Sequence, residues 1–293
     1  LSDSIEPGET AAVSARSARV FIEGIALWGP RLPGWDAARS ILRGEAKPCD
    51  APARRPAPAL LAPTERRRAP DTVAVALEVA SAACASAGRE PRGLASVFAS
   101  TFGDTAVSDY LCRQLASAPL DTSPTKFHNS VHNAAAGYWA IATGCPEPYT
   151  ALSAYRHTFG AGLALACTHA IADESAVLYV AYDIETPGPL ATMSPSRGAL
   201  GAAFVLAPDR SPHAKARLEF RVQPGEARAT PARAANAALV EGNAMGSCLV
   251  VFETLADTLP ADAAAPAPHP PRREIVLTLA PRLALRLAIG QAS

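Results

Sequence analysis

The chain has 293 residues and a mass of 30.3 kDa, enough for one large domain or two small ones whose core needs neither disulfide nor metal. Of these residues 49% are apolar and 18% charged, and 27 Lys and Arg cancel 27 Asp and Glu, so bulk charge points to neither nucleic acid nor an acidic membrane face as partner. Six cysteines stand apart with no CxxC pair, which excludes a zinc ribbon or a disulfide scaffold.

Residues 1–17 are small and polar and read as a disordered lead-in, without the basic and apolar regions of a signal peptide. A β-rich run at 19–28 (RVFIEGIALW) is stopped by Gly29 and Pro30. Residues 32–70 carry many prolines and two arginine clusters, Arg54-Arg55 and Arg66 to Arg68, around one short helical stretch near 35–43. The loop at 48–70 reads either as a solvated excursion or as a docking surface for an acidic partner such as a carrier protein. Asp71 and Thr72 open a helix with an Asx- or Thr-type N-cap, and Gly88 stops it; its small residues on every face predict tight burial.

Residues 94–100 then read as a strand, 105–116 as a helix, 134–144 as a helix closed by Gly144, 149–154 as a strand, 157–172 as a helix, and 175–182 and 198–206 as strands. Strands alternating with helices predict βαβ units around a mainly parallel sheet buried on both faces. Beyond Pro208 the pattern changes. Residues 216–222 and 275–279 read as strands, 248–259 as a strand or a short helix, 282–289 as β-like or helical, and 261–271 as an exposed linker. The longest apolar runs fall short of the ~18 residues of a membrane span, and the expectation is a soluble, cytoplasmic protein.

His128 and His132 are four apart and would share a helix face, but no Glu follows the first and no third ligand is evident, so they read as polar helix-entry residues and no metal site is expected. Gly160-Ala161-Gly162 lacks the third glycine of a dinucleotide loop and reads as close helix packing; no cofactor is expected. There is no GxSxG elbow and no P-loop.

The informative stretch is 134–170, AAAGYWAIATGCPEPYTALSAYRHTFGAGLALACTHA. It resembles the β-ketoacyl synthase branch of the thiolase-like superfamily, in which a small-residue helix leads through a Gly/Pro turn to a strand that delivers a nucleophilic cysteine at the start of a buried helix. Thr150-Ala151-Leu152-Ser153 matches the strand, and Thr158, Gly160 and Gly162 match the helix entry. The resemblance continues through Tyr182-Asp183 and Arg197-Gly198 into GALGAAFVLA. It implies an α/β fold of layered α-β-α-β-α architecture, with a complete first half over 18–208 and a shortened second half over 209–293.

At the position of the family's cysteine stands about Arg156, flanked by Tyr155 and His157, and no cysteine lies between Cys145 and Cys167. An arginine cannot do the work of a thiolate activated at a helix N-terminus. Either Tyr155-Arg156-His157 fills the old pocket, or Arg156 or His157 gates a partner's tunnel. The family's second-half histidines are also missing: only His213 and His269 lie downstream of Arg197, both in Pro-flanked loops. The pattern is most similar to ketosynthase-like, chain-length-factor-type subunits of bacterial aryl polyene and xanthomonadin-type pigment clusters.

That similarity implies a catalytically inactive subunit that forms a heterodimer with an active ketosynthase, in a 3-oxoacyl-[acyl-carrier-protein] synthase complex that meets acyl carrier protein. It implies an interface on Tyr149, Thr150, Ala151, Leu152 and Ser153, and a tunnel lined or closed by Phe102, Phe127, His128 and Trp139. The alternative is an acyl-thioester transferase or hydrolase that uses Ser153 or His157 in place of cysteine.

Overall fold

The run DTVAVALEVASAACASA holds only one charged residue after its first turn, so it buries almost all round. In the computed structural model, which describes residues 17–50, 54–259 and 274–292, this run is a 17-residue helix lying across a nine-stranded sheet. The elements in chain order are β1 (Ala18–Gly29), β2 (Leu32–Pro33), α1 (Trp35–Leu42), α2 (Pro63–Arg68), α3 (Asp71–Ala87), β3 (Ala95–Ala99), α4 (Thr105–Ser117), α5 (Pro124–His128), α6 (Ala134–Thr143), β4 (Tyr149–Leu152), α7 (Thr158–Ala172), β5 (Val177–Asp183), β6 (Leu200–Ala207), β7 (Ala216–Pro224), α8 (Ala234–Ala237), α9 (Leu249–Thr258), β8 (Ile275–Ala280) and β9 (Leu283–Gln291). The expected lead-in and the linker at 261–271 lie outside the described residues, apart from Ser17.

The strands run in the order β4-β3-β5-β6-β1-β7-β9-β8, with β2 beside β1. Only β3–β4 and β3–β5 are parallel; every other pair is antiparallel, which corrects the mainly parallel sheet expected from the alternation. The reason is connectivity: β5 and β6 are joined by a turn-rich segment instead of a crossover helix, so β6 returns antiparallel and slots between β5 and β1. The order also mirrors itself. Reading outward from the β1–β7 pair, each half contributes its first, last and next-to-last strand.

Helices α3 and α6 cover one face of the first-half strands, through Val73, Leu77, Ala80, Ala135 and Trp139. Helices α7 and α9 form the central layer: α7 touches β3 and β5 on one side and β8 on the other, and α9 packs on β9. Gly162 of α7 permits the close approach, since a Cβ there would stand 2.7 Å from the Tyr179 ring and 2.9 Å from Ala99. Strands β7, β9 and β8 complete the layers. Their outer face is bare: there Arg217 pairs with Glu219, and Arg221 and Arg286 with Glu274, with no helix over them among the described residues.

The two edges of the sheet differ. Along β8, Val276 is tied on its open side by Thr230, whose amide donates to the Val276 carbonyl (2.8 Å) while its hydroxyl accepts the Val276 amide (2.8 Å). Along β4 the backbone opposite β3 pairs with no strand among the described residues.

Local expectations are corrected at two points and an open choice is decided at a third. Pro70, not Asp71 or Thr72, is the N-cap of α3; Asp71 instead pairs with Arg55, and the Thr72 hydroxyl donates to Asp104 (2.7 Å). His128 ends the short helix α5 and His132 follows in a turn, so the two share no helix face. The runs at 248–259 and 282–289 resolve as α9 and β9, because the first spans the central layer while the second pairs with both β7 and β8. No helix among the described residues is long and apolar enough to cross a membrane.

Candidate functional site

At the carboxyl end of β4 the chain turns through Ser153 and Ala154 into one 3-10 turn, Tyr155–His157, before α7 begins. Thr158 fixes the corner: its hydroxyl donates to the Tyr155 carbonyl (2.7 Å) and accepts the Ala154 amide (3.0 Å). Tyr155 sits at φ 51°, in the left-handed region that a bulky residue rarely takes. Its ring meets Phe102 edge-on at 6.2 Å, and the Arg156 guanidinium lies 5.5 Å from its centroid. The position where the family's thiol is expected is thus a strained strand-to-helix corner occupied by tyrosine, arginine and histidine.

Behind the corner a cavity of about 220 Å³ opens between the two halves, with Arg156, His157 and Gly160 on one wall and Thr230, Ser247 and Thr278 on the other. His157 Nδ1 lies 3.0 Å from Thr278 Oγ1. Ser153 does not join this cavity; its hydroxyl donates to the Thr101 carbonyl (2.9 Å). No cysteine is among the residues that line this cavity. Cys84, Cys167 and Cys248 are buried among apolar groups, and burial pushes their thiols up, to about 12 for Cys84, so they stay protonated and inert. His213 lies on the surface beside Gly88, and His269 falls outside the described residues.

The loop after β3 holds Phe102 in place. Asp183, at the end of β5, accepts from the Ser100 hydroxyl (2.9 Å) and from the amides of Thr101 (3.0 Å) and Phe102 (3.3 Å). Burial pushes the Asp183 carboxyl up, and the donors from Thr101, Ser100 and Phe102 only partly offset it. Ser100 Oγ accepts the Gly103 amide (2.9 Å), and the His132 ring is 2.9 Å from the Ser100 carbonyl. Sequence reasoning had Asp183 only as part of a matching string; an acid closing the apolar run SAVLYVAY was the available signal of its positioning role.

The candidate tunnel and interface residues divide. Tyr149, Thr150, Ala151 and Leu152 form the open edge strand, with Ser153 just beyond. Beside that edge a cavity of about 400 Å³ is lined by Leu61, His128, Val131, Tyr138, Ile141 and Tyr149, and Val131 and Ile141 are exposed despite being apolar. Phe127 is exposed on the segment leading into it. Phe102 stands apart against Tyr155, and Trp139 is buried against Phe98, 6.5 Å between centroids, so it backs the patch from within the core instead of lining it.

A family model described as β-ketoacyl synthase, N-terminal domain, matches residues 39–257, and the chain belongs to that family. No curated protein matches it. Among solved structures, it is similar to a chain of the ketosynthase ApeO in complex with its chain length factor ApeC from Xenorhabdus doucetiae, with TM-score 0.64 and 18% identity over 92% of this chain and 98% of that one. A β-ketoacyl synthase from Burkholderia phymatum STM815 gives TM-score 0.60 and 13% identity over 94% and 99%. The type II polyketide complex AntDE:AntF, an acyl-carrier protein with its ketosynthase bound to the hexaketide, gives 0.64 and 9% over 94% and 100%.

Proposed function

We propose that this chain is a catalytically inactive, chain-length-factor-type ketosynthase subunit that pairs with an active ketosynthase during polyene- or fatty-acid-type chain elongation in the cytoplasm. The observation that carries the reading is the corner itself: it keeps a strained strand-to-helix geometry but bears Tyr155, Arg156 and His157 and no thiol. A ketosynthase holds its acyl group as a thioester on a thiolate, and none of these three side chains supplies one.

Pairing is supported by the open β4 edge next to exposed apolar side chains, a combination that isolated proteins usually avoid. In the paired state Phe127 and His128 face the partner's tunnel, with Phe102 and Tyr155 at its mouth. Arg54, Arg67 and Arg68, exposed and with no ion pair among the described residues, supply the basic surface for an acyl carrier protein. One observation favours the hydrolase or transferase alternative, the His157–Thr278 contact in the inter-half cavity; against it, Ser153 is committed to the Thr101 carbonyl, away from that histidine.

Co-expression with a cysteine-bearing ketosynthase tests the reading. The two chains are expected to purify together. Ile141→Asp, which places a charge on the patch, and Ala151→Pro, which removes a donor on the side of β4 turned away from β3, are expected to abolish co-purification while each variant keeps its circular dichroism. The chain alone is expected to take no covalent label from cerulenin and to turn over no acyl thioester. Labelling of this chain, or turnover lost in His157→Ala, overturns the proposal.

A further inference from the structure

On the opposite side of α3 from the β4 edge, a groove of about 600 Å³ runs between α3, β1 and the start of α1. Its walls carry two of the chain's three tryptophans, Trp28 and Trp35, with Glu78 along one side and the exposed Asp36 at the rim. β1 contributes Ile25 to Trp28 to the lining and α3 contributes Val79, Ala82 and Ala85.

Glu78 is the unusual member. It is half-buried at the middle of α3, makes no hydrogen bond or ion pair, and burial alone pushes its carboxyl above the usual range. At the Ser86 end of the groove Lys215 is spent on the carbonyls of Glu23 and Ser86, and its charge acts on Glu23. Arg89 is paired with Glu23. A desolvated carboxylate with no cation of its own lowers stability and is retained at a cost unless something with positive charge comes to it. Trp35 is held by α1 and by Phe252, 5.6 Å between ring centroids, so its indole is fixed in place before any ligand arrives.

We infer that this groove binds a small organic cation, with an alkylammonium head against Glu78 and its carbon body on Trp28 and Trp35. Indole faces attract cations through their quadrupole, and a carboxylate in the same partly desolvated cleft adds a directional partner. The volume lies within the range of small-molecule sites, whereas a bare metal ion would have no use for two indoles.

Tryptophan fluorescence is the direct probe, because the third tryptophan, Trp139, is fully buried elsewhere. Choline titrated into the purified full chain is expected to shift or quench the emission saturably. Its neutral isostere 3,3-dimethylbutanol is expected to bind at least roughly tenfold more weakly, and Glu78→Gln to lose about tenfold in choline affinity while its thermal midpoint stays level or rises. Trp35→Phe is expected to weaken binding and remove much of the signal. No saturable response to choline overturns the inference, as does equal binding of the isostere or unchanged choline affinity in Glu78→Gln.

Discussion

The two halves of the molecule share a strand plan and differ in what covers it. The inner first-half strands β3, β5 and β6 are covered on both faces, by α3 and α6 outside and α7 inside, and β5 and β6 contain no exposed residue. Second-half strands alternate: Leu218, Leu285, Leu287 and Ile275 face the central helices, while Arg217, Glu219, Arg221 and Arg286 face out. One half is built by packing, the other by packing on one side and ion pairing on the other. Stability is therefore expected to reside where the central helices join the halves.

The sharpest break of that comparison is Phe252→Ala. Phe252 of α9 stacks on Phe204 of β6, 4.9 Å between centroids, and tilts against Trp35, tying the second half to the first. Its truncation is expected to cost about 3–5 kcal/mol in urea unfolding. A single transition at lower midpoint marks one cooperative unit, and two separated transitions would show halves that fold independently.

Asp183→Asn ranks next. It turns two acceptor oxygens into one acceptor and one donor opposite the amides of Thr101 and Phe102, with an expected loss of about 1–3 kcal/mol and a mobile loop after β3. Hydrogen exchange at Thr101 to Gly103 reads the loop directly; unchanged exchange would remove Asp183 from its positioning role.

Acid dependence sharpens the link between β1 and the end of α3. Burial raises the Glu23 carboxyl, but hydrogen bonds from Arg89 and Ser211 and the charges of Arg89 and His213 more than offset this, so its pKa is lowered. A lowered folded pKa means stability fully present above the unfolded value, roughly 4.3, and lost as pH falls through the folded one. Asp183 and Glu78 have raised values and run the other way: their cost is relieved as pH falls. Thermal midpoints of the wild-type chain are expected to drop on acidification below about pH 4, and those of Glu23→Gln to start lower and drop less. Parallel curves would remove Glu23 as a source of the acid slope.

The smallest effect belongs to the bare face. Glu274→Gln breaks exposed ion pairs to Arg221 and Arg286 and is expected to change stability by less than about 0.5 kcal/mol, shrinking with added salt. A loss several times larger would mean that these charges organise the second half.

Much of the fold was legible because local signals agreed. Gly88 and Gly144 end α3 and α6 in the left-handed conformation expected of them, and the apolar run at 175–182 is β5 with every residue buried. Strand direction was not legible, since it depends on which strand β6 inserts between, a choice made by tertiary packing. The same holds for LVVFETLADT, whose apolar run fits strand or helix until α1 and β9 are there to receive it. At the site, Thr150 to Ser153 and the lack of a cysteine between Cys145 and Cys167 were readable only through the resemblance, which aligns them with the family's strand and corner. Trp139 was not, because a large aromatic in a small-residue helix gives no sign of which way it faces. The histidines at 128 and 132 had helical spacing, but Asn129 already caps α5 before the second one is reached.

The unequal edges set a limit on assembly. Among the described residues, Thr230 lies against Val276 at one end of the sheet and β4 is open at the other. Under the pairing proposed above, strand addition at β4 uses the open end and leaves outward the end that carries the Thr230 contact, an asymmetry that favours a closed pair over a growing filament.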